Sequence, residues 1–239
     1  MVVEVPVERA GTMRLHVATP DAERAAGAGI MVFQEAFGVN DHMRDVARSF
    51  ADLGLLAVVP ELYHRAGIAE VPYSDMAAAV RVMNETITRD GLVDDIGATV
   101  KWLGVSAGLG PERLAAVGFC MGGRVSFIAN AHHPLAAAID FYGSITPAAL
   151  DLADKQLGPL LLFWAGLDEY IRPEGTRKAA DALNEAKKDF TEVTFSHADH
   201  GFFCDRRPAV YNANAARQAW SLSREFLATR GLLSSTSAT

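Results

Sequence analysis

The sequence predicts an α/β fold: a mostly parallel central sheet with helices on both faces and an antiparallel hairpin at its N-terminal edge. Two observations carry that expectation. Short continuous apolar runs recur along the chain, and each is followed by a stretch with helical periodicity. Runs this continuous suit strands buried on both faces, as in a parallel sheet covered by helices. No repeat, low-complexity segment or linker divides the 239 residues. A single domain over 1–239 is expected, with its core at about 10–230 and a frayed Ser/Thr-rich tail at 234–239.

The elements follow in order. Val3, Val5 and Val7 alternate with polar neighbours, as do Met13, Leu15 and Val17, and Gly11-Thr12 between them reads as the hairpin turn. Asp21–Gly29 is small and polar and reads as a loop. The first buried run is Ile30–Phe33, followed by a helix over Met43–Leu53 and a second strand over Leu55–Val59 that Pro60 closes. Two helices come next, about Ser74–Thr88 with Ser74 as N-cap and about Gly91–Leu103. Further strands are read at Leu114–Phe119, Ala136–Ile139, Leu160–Trp164 and Val193–Phe195, and the last helices at 172–187 and 209–229.

Composition narrows the function classes. Hydrophobic residues make up 50% and charged residues 21%, which excludes a disordered chain. The net charge of −7 argues against nucleic acid, whose binding draws on basic contacts to phosphate, and against anionic membranes. Two cysteines, Cys120 and Cys204, make no disulfide framework and suggest free thiols in a reducing compartment. The opening segment holds Glu4, Pro6 and Glu8 rather than a long apolar stretch, and the longest apolar runs fall far short of a spanning helix. A cytoplasmic protein is expected.

The strongest local signal is Gly118-Phe119-Cys120-Met121-Gly122-Gly123, at the end of one buried run and the start of a helical stretch. This is the nucleophile-elbow pattern, Gly-x-nucleophile-x-Gly, with Cys at the nucleophile position. The glycines give room for a sharp strand-to-helix turn, and the helix N-terminus offers unpaired N–H groups and a positive dipole end. A nucleophile needs a base, and the base an orienting acid. Asp168 follows the Leu160–Trp164 strand and His200 follows the Val193–Phe195 strand, so both fall at strand carboxyl ends. Glu169 and Asp199 are rival acids and His197 a rival base. The N–H of Met121 is one expected oxyanion donor and that of Ala36, in the loop after Ile30–Phe33, the second. Glu35 is unusual there: a carboxylate beside a thiol either holds its proton or repels the thiolate. Phe37, Tyr142 and Phe202 flank strand-end motifs as candidate pocket residues. No metal is expected, because His197, Asp199 and His200 lack a third well-spaced ligand and any Cys pair. No cofactor is expected either: the chain has no phosphate-binding Gly-Lys-Ser/Thr loop and no Gly-x-Gly-x-x-Gly after a strand.

Together these blocks resemble the dienelactone hydrolase family of the α/β-hydrolase fold. The likeness lies in Gln34-Glu35-Ala36-Phe37-Gly38-Val39-Asn40, in the elbow itself, in Gly166-Leu167-Asp168 and in His200-Gly201-Phe202, with Pro60-Glu61-Leu62-Tyr63 also familial. The resemblance implies Cys120 as nucleophile, His200 as base, Asp168 as its orienter, and a Glu35 that contacts the resting thiol and moves when substrate arrives. The activity it implies is hydrolysis of dienelactone, an enol-lactone carboxylate, to maleylacetate (carboxymethylenebutenolidase). One departure stands out. The family binds the substrate carboxylate with arginines, one of them four residues after the catalytic His, where this chain has Cys204. Arg206 and Arg207 lie just beyond, and Arg81 falls in the region of the other arginine.

A thiolate leaves a tetrahedral intermediate more readily than an alkoxide, so Cys at the elbow favours activated esters and enol-lactones, whose enolate also leaves well. The expected partner is a small-molecule ester or lactone. An esterase or thioesterase of uncharged acyl groups, and a non-catalytic ligand-binding module, stay open beside it.

Overall fold

The computed structural model describes residues 1–145 and 149–233; the expected frayed tail at 234–239 lies outside them. Among the described residues the strands are β1 (Val2–Val7), β2 (Gly11–Ala18), β3 (Gly29–Phe33), β4 (Leu56–Pro60), β5 (Leu114–Phe119), β6 (Ala137–Phe141), β7 (Leu160–Ala165) and β8 (Phe190–Phe195). The helices are α1 (Asp41–Asp52), α2 (Met76–Thr86), α3 (Arg89–Ala107), α4 (Met121–His132), α5 (Pro173–Glu185) and α6 (Ala213–Thr229). One sheet holds the strands in the order β1-β2-β4-β3-β5-β6-β7-β8, antiparallel across β1-β2-β4 and parallel from there on.

Strands β3, β5, β6 and β7 are buried along their whole length. Their alternate residues feed two cores. Met31, Ala116 and Leu162 face one, covered by α2, α3, α4 and α5 through residues such as Val82, Ile96, Val125 and Leu183. Ile30, Val117 and Ile139 face the other, covered by α1 and α6 through Phe50 and Ala219. Period-two side chains on a doubly covered sheet read as the continuous apolar runs of the sequence.

Several boundaries differ from expectation for local reasons. The hairpin turns at Glu8-Arg9-Ala10 with Arg9 at φ 64°, and Gly11 and Thr12 already pair in β2, opposite Val7 and Pro6. Helix α2 starts later than Ser74 because Asp75 caps it, its carboxylate accepting the Ala78 N–H at 2.9 Å. Helix α3 runs beyond the expected stretch at both ends, from the Thr88 cap to Gly108 at φ 67°, where a left-handed residue ends it. The last helix starts at Ala213, where the Asn212 side chain accepts the Ala215 N–H, leaving 209–211 in the preceding loop. Strand β8 begins at Phe190: it is the sheet edge, so Thr191, Glu192 and Thr194 face solvent and dilute its apolar signal.

The loop after β4 is anchored to α3 by a buried charge cluster. Asp95, fully buried on α3, meets Arg65 at 2.8 Å and His64 Nε2 at 3.0 Å. That anchor fixes Tyr63, whose hydroxyl donates to the Ala36 carbonyl at 2.8 Å, beside the elbow. Removing Asp95 leaves the hydrogen-bond donors of His64 and Arg65 without their acceptor. Asp95→Ala is expected to cost about 1–3 kcal/mol, a fall of roughly 5 °C in Tm on a thermal melt; a fall under about 2 °C would show that the cluster contributes nothing net.

Candidate active site

The site is built at the carboxyl ends of β3, β5, β7 and β8. At its centre the chain leaves β5 and enters α4 through one residue, Cys120, held at φ 56° and ψ −119°. A non-glycine residue in this region is strained by about 1–3 kcal/mol and persists only where its surroundings impose it. Here they do: the Cys120 N–H donates to the Phe141 carbonyl at 2.9 Å, and the Gly123 N–H donates to the Cys120 carbonyl at 3.0 Å. The flanking glycines are steric necessities. A Cβ on Gly118 would overlap the Gly122 carbonyl, and one on Gly122 would overlap the Phe33 carbonyl.

That close approach sets α4 against the loop after β3. Ala36 and Met121 therefore line the same pocket as Cys120. Met121 opens α4, so its N–H has no carbonyl one turn earlier to receive it. Gln34 accepts the Leu62 N–H at 3.2 Å, which ties this loop to the one after β4.

Asp168 and His200 converge from β7 and β8. Asp168 is buried; its Oδ1 accepts the N–H groups of Tyr170 at 2.8 Å and Ile171 at 2.9 Å, and its Oδ2 meets His200 Nδ1 at 2.8 Å. Cys120 lines the same pocket as His200, near enough to act on its charge. Burial is the largest influence on His200 and lowers its pKa, but the Cys120 charge and the bonds to Asp168 and Cys120 outweigh it and push it up to about 10. Asp168 and His200 are thus joined by a hydrogen bond, and His200 shares the pocket lining with Cys120. The rivals do not join them: Glu169 and His197 are exposed, and Asp199 is absent from the pocket lining.

The remaining candidates divide. Phe37 lines the pocket, whereas Tyr142 and Phe202 are fully buried behind His200, with Tyr142 centred 5.1 Å from its ring and Phe202 5.1 Å from Tyr142. They brace the imidazole from behind. Glu35 is buried on the pocket wall, but its Oε2 accepts from Tyr73 at 3.5 Å and not from the thiol, and its Oε1 has no partner among the described residues. Tyr73 in turn receives the Cys204 thiol at 3.2 Å. Burial, and then the charge of Glu35, pushes the Cys204 thiol up to about 12. Arg206 is paired with Asp45 at 2.9 Å on the outside, and Arg81 is exposed on α2; neither lines the pocket.

Two guanidinium groups do line it. Arg207 lies over Phe37 and Tyr73, 5.2 Å and 5.9 Å from their ring centres. Arg124, one turn into α4, is the other. The sequence signal for Arg124 was available: helical side chains lean towards the helix N-terminus, and four residues after the nucleophile is one turn away. The pocket measures about 270 Å³, the scale of a small organic molecule, and Met76, Val80 and Met83 of α2 form its apolar wall.

A model of the dienelactone hydrolase family matches residues 13–231. The chain belongs to that family. Provisionally named carboxymethylenebutenolidases from Yersinia pestis and Synechocystis are each 30% identical to it, over 91% and 84% of this chain and 84% and 85% of theirs. A solved structure provisionally named as a Klebsiella pneumoniae dienelactone hydrolase superposes with a TM-score of 0.81 at 27% identity, covering 95% of this chain and 98% of that one. A dienelactone hydrolase-like promiscuous phosphotriesterase from metagenomic libraries shares the fold, with a TM-score of 0.80 at 22% identity over 98% of this chain and 99% of that one. The protein is thus a hydrolase of the α/β-hydrolase fold. No helix among the described residues is long and apolar enough to cross a membrane.

Two outcomes follow from this geometry. Gly122→Ala drives a methyl into the Phe33 carbonyl, and should lower stability by about 3 kcal/mol or more, measured by urea unfolding; near-wild-type stability would refute the elbow geometry. The second concerns Asp140, at the end of β6. It is fully buried; its Oδ1 accepts the Gly143 N–H at 2.7 Å, and its Oδ2 has no partner among the described residues. Burial raises its carboxyl from 3.8 to about 7. An acid whose pKa is higher folded than unfolded supports the fold below its unfolded pKa and loses that support as pH rises through the folded value. Asp140→Asn retains the acceptor for Gly143. Its Tm relative to wild type should therefore improve from pH 5 to pH 8; a constant difference would show that Asp140 does not titrate there.

Proposed function

We propose that the protein hydrolyses activated esters and enol-lactones through a Cys120–His200–Asp168 triad and a thioacyl-enzyme intermediate, with dienelactone as the candidate substrate and carboxymethylenebutenolidase as the activity. The observation that carries this reading is that Cys120, at the strained turn from β5 into α4, lines one small pocket with His200, whose Nδ1 is bonded to the buried Asp168.

In the proposed cycle the Cys120 sulfur attacks the carbonyl carbon while the imidazolium of His200 balances its charge. The developing oxyanion sits between the N–H groups of Met121 and Ala36, each contributing about 3 kcal/mol to the transition state. Collapse breaks the ring C–O bond and expels an enolate, which takes the proton from His200. The neutral imidazole then removes a proton from water, the hydroxide attacks the thioester, and the thiolate departs with the imidazolium restored. Asp168, held by two backbone N–H groups, keeps Nδ1 facing it so that Nε2 is presented to the chemistry. Glu35 is assigned the modulation of the thiol, acting through its charge in the pocket wall.

The test is steady-state hydrolysis of cis- and trans-dienelactone beside neutral p-nitrophenyl acetate. Cys120→Ala should abolish turnover with the fold intact, and a residual rate above about a tenth would overturn the nucleophile assignment. Asp168→Asn should cut kcat by about 10⁴ and lower the pH at which His200 releases its proton, followed by NMR. Glu35→Gln should alter the pH profile of thiol alkylation at Cys120; an unchanged profile would remove Glu35 from the site. Cys120-dependent turnover of p-nitrophenyl acetate alone would keep the chemistry and reassign the substrate to uncharged esters.

A further inference from the structure

Among the described residues Arg124 has no hydrogen-bond or ion-pair partner, yet it lines the pocket that holds Cys120. Arginines elsewhere have carboxylate partners: Arg65 meets Asp95, Arg89 meets Asp151 and Arg206 meets Asp45. The other pocket guanidinium, Arg207, is spread over two aromatic faces. Arg124 is a half-buried cation. Burial is the largest influence on it and lowers its pKa, and the nearby charge of Arg89 acts in the same direction. The negative groups that act on it are Cys120, Asp140 and Tyr63. Asp140 bonds the Gly143 N–H rather than the guanidinium, and the Tyr63 hydroxyl is committed to the Ala36 carbonyl. Its fork of N–H donors is thus uncommitted in a pocket that Met76, Val80 and Met83 also line. A guanidinium with no partner in a concave, partly water-excluding wall is free to take a planar carboxylate by two parallel N–H bonds.

We propose that Arg124 is the anion-binding residue of this pocket, selecting substrates that carry a carboxylate within reach of α4 when their carbonyl sits on Cys120. This deepens the reading above and rests on it for the identity of the reaction. It accounts for a pocket whose post-histidine position is Cys204, a thiol turned towards Tyr73 and not towards the pocket. The substrate that fits is a small carboxylate-bearing ester or lactone whose apolar body lies along α2.

The experiment compares dienelactone with its neutral methyl ester, as a ratio of kcat/KM, in wild type and in Arg124→Gln, Arg124→Lys and Arg207→Gln. Wild type should prefer the carboxylate. Arg124→Gln should reduce that ratio about tenfold or more, Arg124→Lys should restore part of it, and Arg207→Gln should change it less than Arg124→Gln does. A second readout needs no turnover: the rate of Cys120 alkylation by iodoacetate divided by that for iodoacetamide should fall by a similar factor in Arg124→Gln. Retention of both ratios in Arg124→Gln would overturn the proposal, and so would a larger loss in Arg207→Gln. If neither lactone is hydrolysed, the function reading fails while the alkylation ratio still decides the role of Arg124.

Discussion

The candidate site depends on one reversal of the chain, from β5 into α4 within the single residue Cys120. Its backbone is strained, and the strain is tolerated because the neighbours leave no alternative: Gly118 under Gly122, Gly122 against Phe33, and the Cys120 N–H committed to Phe141. The same close contact brings the loop after β3 against the first turn of α4. Ala36 and Met121, distant in sequence, thereby line the same pocket as the thiol. The buried pair of Asp95 and Arg65 serves this arrangement indirectly, because it fixes the loop whose Tyr63 holds Ala36.

Two buried carboxyls end adjacent strands, and their surroundings differ. Asp168 receives two backbone N–H groups on one oxygen and His200 on the other, so both oxygens are occupied. Asp140 receives one N–H, and its second oxygen has no partner among the described residues. A carboxylate needs donors to stay charged away from water. Asp140, with a single backbone donor, is pushed up by burial to about 7.

Much of the fold was legible because β3, β5, β6 and β7 are buried on both faces, which leaves an unbroken apolar run in the sequence. The edge strand β8 was only half visible, since its outward residues are polar. Helix starts were displaced where a neighbouring residue, Asp75 rather than Ser74, supplied the cap. In the site, Cys120, Asp168 and His200 were legible because each follows a strand directly, so position in the chain implies position in space. Tyr142 and Phe202 also follow strands, but whether such a ring faces the pocket or packs behind the histidine depends on side-chain direction, which spacing does not encode. Arg206 and Arg207 show the limit of such reading: adjacent in sequence, one turns outward to Asp45 and the other inward over Phe37. The wall formed by α2 was invisible, because its contact with the pocket is purely tertiary.

Met76, Val80 and Met83 project from a surface helix capped by its own Asp75, outside the sheet whose strand ends carry the reacting groups. Methionine side chains are flexible and polarizable, and they repack around different shapes at little cost. The opposite wall is held by backbone hydrogen bonds and by glycines that admit no Cβ. The pocket therefore combines a rigid half with an adaptable one, and exchanges on α2 would reshape it without reopening the problem of folding the elbow.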